Sequence, residues 1–139
     1  MVNLFKIDNY RTCTKEERYE FDTYAAICKT DISDIDIFWT KDLDPERGAT
    51  GQFSKLTHKQ IYIYDDPLMI KEYMSTALHE LDHLRVCEWC CNTFGGVIGV
   101  FVFAVISSRA LAWMYLEPRA EKVERKAEVA LCLNYGNVD

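Results

Sequence analysis

The most constraining pattern in this chain begins at its midpoint. Ile70, Tyr73, Met74, Ala77, Leu78, Leu81 and Leu84 stand at offsets 0, 3, 4, 7, 8, 11 and 14, the spacing of one apolar face of an α-helix. Asp66 is placed as the N-cap and Pro67 at the first helical position, where a missing N–H costs nothing. The spacing predicts a helix over 67–90. An apolar stripe of that length must be covered. With 139 residues, 49% of them apolar, the chain suffices for one domain over 1–139 with a core of its own.

The elements that could cover it are legible on both sides. Thr14 and Glu17 form a capping box ahead of Phe21, Tyr24, Ala25 and Cys28, so a helix is expected over 14–29. Ile35, Ile37 and Trp39 alternate with other residues as in a strand over 34–40. Residues 49–54 and 60–64 read as two short strands of a hairpin. Pro118 opens a last helix, over 118–133, rich in Glu and Lys. The expected fold is α+β: a small antiparallel or mixed sheet packed on helices.

Composition excludes some roles. Sixteen Lys and Arg face 22 Asp and Glu, for a net charge of −6, and no basic run exists. Nucleic acid is therefore not an expected partner. The N-terminus has no apolar stretch of signal-peptide length. Cysteines 13, 28, 87, 90, 91 and 132 are accordingly expected as thiols, in a cytoplasmic protein. Cys87-x-x-Cys90-Cys91 has two readings: buried inert thiols, or a structural zinc site completed by Cys132 or Cys28.

Inside the best helix stands His79-Glu80-Leu-Asp-His83. An i, i+4 spacing puts both imidazoles on one face, one turn apart, where both can reach one metal ion. Glu80 follows the first histidine, where a general base for a metal-activated water belongs. The pattern arises by chance in about one chain in 200 of this composition. Two histidines leave a zinc ion short of a third protein ligand. The last helix offers Glu117, Glu121, Glu124 and Glu128, each of which also reads as part of a solvated face paired with Lys122 or Lys126. Glu124 stands out because Ala127, three residues on, would let the two helices approach closely.

His79-Glu80-x-x-His83 followed by Glu124-x-x-Ala127-Glu128 resembles the HExxH…E-x-x-A-(D/N) arrangement of gluzincin metallopeptidases. By size the chain is most similar to the minigluzincins and the ImmA/IrrE-type peptidases, and the motif pair is shared with HtpX-type peptidases. The resemblance covers about residues 34–133 and implies a zincin-like fold with a zinc cleft between strand 61–64 and the HExxH helix. It implies His79, His83 and Glu124 as Zn2+ ligands, Glu80 as general base, and Glu128 as a carboxylate supporting a ligating histidine. It implies hydrolysis of peptide bonds in a protein or peptide substrate. That substrate would pair with an edge strand formed by Ile61, Tyr62, Ile63 and Tyr64. A second electrophile is left open among Tyr115, Arg119, Tyr135 and His58. A catalytically silent zincin that binds or regulates is the alternative.

From Trp89 to Ser108 no charge occurs, a run of membrane-spanning length. A single crossing would separate His83 from Glu124, and two crossings need about 40 residues plus a turn. No span is expected. The 94–116 segment remains a buried helix, a strand, or an apolar face for self-association or for touching a membrane.

Overall fold

A computed structural model describes residues 7–54, 58–108 and 112–135. The chain runs β1 (Arg11–Thr12), α1 (Lys15–Ile27), β2 (Ile35–Thr40), β3 (Ala49–Ser54), β4 (His58–Tyr64), a 3₁₀ turn (Pro67–Met69), α2 (Ile70–Phe94), α3 (Gly96–Ile106), a π-helical turn (Ala112–Leu116) and α4 (Glu117–Tyr135). The architecture is α+β, as expected. The four strands form one mixed sheet in the order β1-β2-β4-β3. β1 is antiparallel to β2, β2 parallel to β4 and β3 antiparallel to β4.

Local chemistry explains most boundaries. Thr14 and Glu17 close the capping box at the start of α1. The Glu17 carboxylate also accepts from Trp39 Nε1 at 3.1 Å, tying the helix start to β2. Asp66 makes no side-chain cap, and Pro67 opens the 3₁₀ turn rather than the α-helix itself. α2 runs on to Phe94, four residues beyond the expected end, because nothing before Gly95 (φ +89°) interrupts it.

The core lies between α2 and one face of the sheet. Ile70, Met74, Ala77, Leu78, Leu81 and Leu84 pack against Phe21, Trp39, Ile37, Ile61 and Ile63, with Ala127 and Leu131 of α4 closing the same cluster. Lys59 is buried at the sheet side and is neutralised by Asp34 at 3.0 Å and by Glu88 of α2, as a buried ammonium must be.

β4 is an internal strand. It pairs with β2 on one side and β3 on the other, so Ile61, Tyr62, Ile63 and Tyr64 do not form the edge. Ile61 and Ile63 carry core side chains. β3 stands at the edge instead and, among the described residues, pairs only with β4.

The 94–116 segment departs from a strand as well. α3 is a helix, antiparallel and close to the end of α2. A Cβ at Gly99 would lie 2.4 Å from Cys91 Cα and 2.6 Å from Cys90 O, so only glycine permits this approach. The helix is mostly exposed rather than buried. Among the described residues no helix is long and apolar enough to cross a membrane. A Gly99→Val variant should force the two helices apart and lose about 1–3 kcal/mol, the usual cost of overpacking. Denaturant unfolding measures this, and an unchanged midpoint would contradict the backbone contact.

Candidate metal centre

The two histidines leave α2 on the face turned from the sheet toward α4. Their rings lie 5.0 Å apart. α4 runs antiparallel along this face, with Ala120 and Ala127 fully or nearly fully buried against the rest of the fold. Glu117 heads α4 and reaches both imidazoles: its Oε2 is 3.2 Å from His79 Nε2 and its Oε1 3.3 Å from His83 Nε2. One ligand atom from each of His79, His83 and Glu117 lies within 4.8 Å of the others. Two imidazole nitrogens and a carboxylate oxygen converging this way could hold a metal ion.

Glu124 does not join that group. Its Oε1 lies 2.8 Å from His79 Nδ1, the nitrogen on the other side of the ring. The helix register explains the exchange: seven residues, two turns of α4, separate Glu117 from Glu124, and the Nε2 atoms face the earlier one. Glu124 instead stands where a carboxylate could orient His79 if that ring held a metal ion. Glu128 does not take that role; it is exposed and borders a groove with Lys71, Ser75 and Leu131. Neither His79 Nδ1 nor His83 Nδ1 completes a hydrogen bond as the side chains stand, although both are buried. A small ring rotation would let His79 donate to Glu124.

Glu117 is one of the four glutamates the last helix offers, passed over for Glu124, and a signal for it exists. Glu117-Pro-Arg-Ala120-Glu121 repeats the E-x-x-A-E pattern of Glu124-Arg-Lys-Ala127-Glu128 one heptad earlier. Both alanines are buried, so the pattern alone cannot separate the two registers. Pro118, with no N–H to donate to residue 114, follows closely on the π-helical turn over Ala112–Leu116 that precedes Glu117.

Burial sets the electrostatics. It pushes the His83 imidazole down to about 4, so the ring is neutral near pH 7, with a lone pair free to ligate. It also pushes the Glu80 carboxyl up. Glu80 shares an i, i+4 row with Thr76 and Leu84. A Cβ at Gly48 would lie 3.8 Å from Thr76, and one at Gly51 would lie 3.0 Å from Leu84. β3 therefore runs along this row, and Glu80 occupies the turn between the two contacts. Asp82, also buried, is held by Arg119 Nε at 3.0 and 3.2 Å, which clips α2 to α4.

The remaining candidates sit apart from the group. Arg119 is engaged with Asp82. His58 pairs with Asp36 across the sheet. Tyr115 is exposed beside Arg119, and the side chain of Tyr135 lies outside the described residues. All six cysteines are free thiols. Cys87 and Cys90 are buried in an apolar cluster with Phe103 and Leu116, where burial pushes the Cys87 thiol up to about 12, the opposite of what a thiolate ligand needs. Among the described residues no cysteine belongs to a metal-type cluster. No family model matches the chain, and comparison with curated proteins and with solved structures gives no match.

These positions rank the expected losses of metal affinity. His83→Ala and Glu117→Ala each remove a ligand and should strip the ion. Glu124→Ala should cost the 10–100-fold typical of an orienting carboxylate, and Glu128→Ala should cost nothing. Competition titration against a chromophoric chelator measures all four. Loss of metal in Glu124→Ala with retention in Glu117→Ala would reverse the register.

Proposed function

We propose that this chain is a zinc-dependent metallopeptidase in which His79, His83 and Glu117 hold the ion, Glu124 orients His79 and Glu80 is the general base. The observation that carries the reading is the convergence of both Nε2 atoms and the Glu117 carboxylate beside a half-buried glutamate that follows the first histidine. The donor set suits zinc: neutral imidazole and carboxylate, with three protein ligands. When bound, zinc lowers the pKa of a coordinated water toward about 7 and stabilises negative charge on a substrate carbonyl oxygen.

The chain's own residues supply the rest. The Glu80 carboxylate accepts the proton of the attacking water and passes it to the leaving amine. Burial raises its affinity for that proton, which matches the task. Substrate binds along the free edge of β3. Tyr64 N–H donates to Gly48 O at 2.8 Å. In an antiparallel ladder pairs alternate, so Thr50 and Gln52 bond toward β4, while Gly51 turns its N–H and C=O outward. An extended peptide pairing there would lie along the helix row that carries Glu80, its backbone held whatever its side chains.

One observation favours a catalytically silent binding protein as the second reading. Among the candidate electrophiles, Arg119 and His58 are already engaged by carboxylates. A Glu80→Gln variant separates the two. It should keep zinc stoichiometry and lose at least about 10²-fold in turnover of an unstructured protein substrate. Zinc-loaded wild type that fails to cleave a broad peptide mixture, yet binds peptides, would establish the silent reading.

A further inference from the structure

The end of the molecule beyond the metal centre is apolar and uncovered. Of the fourteen large hydrophobic residues exposed among the described residues, nine lie between Trp89 and Tyr115. Val97 is 88% exposed, Phe101 70%, Tyr115 62% and Trp89 58%. Together the nine expose on the order of 1,000 Å², against the few hundred that a soluble monomer ordinarily carries in one patch. They belong to the end of α2, to α3 and to the π-helical turn.

We propose that this helical hairpin inserts into the surface of an anionic phospholipid bilayer and anchors the protein there. Four observations choose this occupant over a second copy of the chain. First, every residue of α3 from Gly96 to Ile106 is apolar or glycine. A protein partner covers one stripe of a helix, whereas hydrocarbon solvates its whole circumference. Second, the helix has 11 residues, about 16 Å, which is half of a hydrocarbon core about 30 Å thick. It can enter one leaflet and cannot cross.

Third, α3 meets α2 through Gly99 at backbone distance, a contact that survives in lipid because it rests on packing rather than on water exclusion. Fourth, the charge at the hairpin's base has the right sign. Residues 85–119 carry three arginines and two glutamates, in a chain of net charge −6. Both glutamates are engaged, Glu88 with Lys59 and Glu117 with the histidines. Arg85 and Arg119 line a cleft of about 670 Å³ with Trp89, Ile106 and Tyr115. Arg119 meets Asp82 through Nε alone, and Arg85 meets Asp31 O and Asp34 through Nη2 alone, so each guanidinium keeps further N–H donors for a phosphate. Guanidinium groups at the mouth of an apolar, aromatic-walled cleft fit a lipid phosphate with its acyl chain below, and Trp and Tyr favour this interfacial level.

Anchoring in this way brings the candidate centre to the bilayer surface. Six helical residues, about 9 Å, separate His83 from Trp89. The anchoring itself does not depend on the peptidase reading.

Flotation of the full chain with vesicles tests the proposal. Wild type should float with phosphatidylcholine vesicles containing phosphatidylserine and bind pure phosphatidylcholine at least tenfold less. Ile98→Glu with Phe101→Glu should cut flotation at least tenfold. Val97→Glu, at the most exposed of the nine positions and so the least able to disturb folding, should also lower it with an unchanged melting temperature. Failure to float, equal binding to neutral vesicles, or flotation indifferent to these variants would each overturn the proposal. A concentration-dependent dimer in sedimentation, abolished by Phe101→Glu and accompanied by no flotation, would overturn it in favour of self-association.

Discussion

The close contact between α2 and α4 is the constraint on which the candidate centre depends. Ala120 and Ala127 are both buried there or against α1 and the core, and each offers the smallest side chain that still favours a helix. Small residues bring helix axes toward the near end of the usual 8–10 Å. A glutamate on one helix then reaches the histidines on the other. The antiparallel course then fixes the order of contacts: Glu117 with His83 and His79, Glu124 with His79, and Glu128 near Ser75 and Lys71. The Asp82–Arg119 pair holds the first of these in place.

α2 has three obligations at once, and its sequence separates them by angle. One face carries Met74, Leu78 and Leu81 into the sheet. A second carries His79 and His83 toward α4. The row of Thr76, Glu80 and Leu84 faces β3. Glycine at 48 and 51 lets that strand approach the row, and Gly48 also needs its freedom for φ +77°. The cost of this crowding is polar burial. His83 is kept neutral and Glu80 is desolvated, which are the states a ligand and a base require.

The same helix continues past its ligand-bearing turns into an apolar hairpin. Gly95 breaks it, Gly99 docks the return, and the π-helical turn leads straight into Glu117. The segment that exposes apolar surface is thus also the segment that positions the Glu117 carboxylate beside the two histidines. Displacement of α3 would be felt at the head of α4 through Phe103 and Leu116, which share one apolar cluster.

Much of this was written in local patterns. The apolar offsets of α2, the capping box at Thr14 and Glu17, the alternation in β2 and the hairpin of β3 and β4 each depend on neighbours a few residues away, and each formed within a few residues of where the pattern placed it. The pairing of His79 with His83 belongs to the same class, because an i, i+4 spacing is a property of one helix. What crossed between elements was not legible. Glu117 and Glu124 stand in the same E-x-x-A-E context, and only the depth at which α4 lies along α2 decides which of them meets the Nε2 atoms. Strand order is likewise not carried by β4's own residues: an alternating apolar strand reads the same at the centre or the edge, and the parallel pairing of β2 with β4 left the edge to β3. The apolar run over 89–108 showed its composition but not its exposure, which depends on how closely glycine lets α3 return. Local periodicity fixes faces and spacings; the docking of one element on another fixes which faces meet.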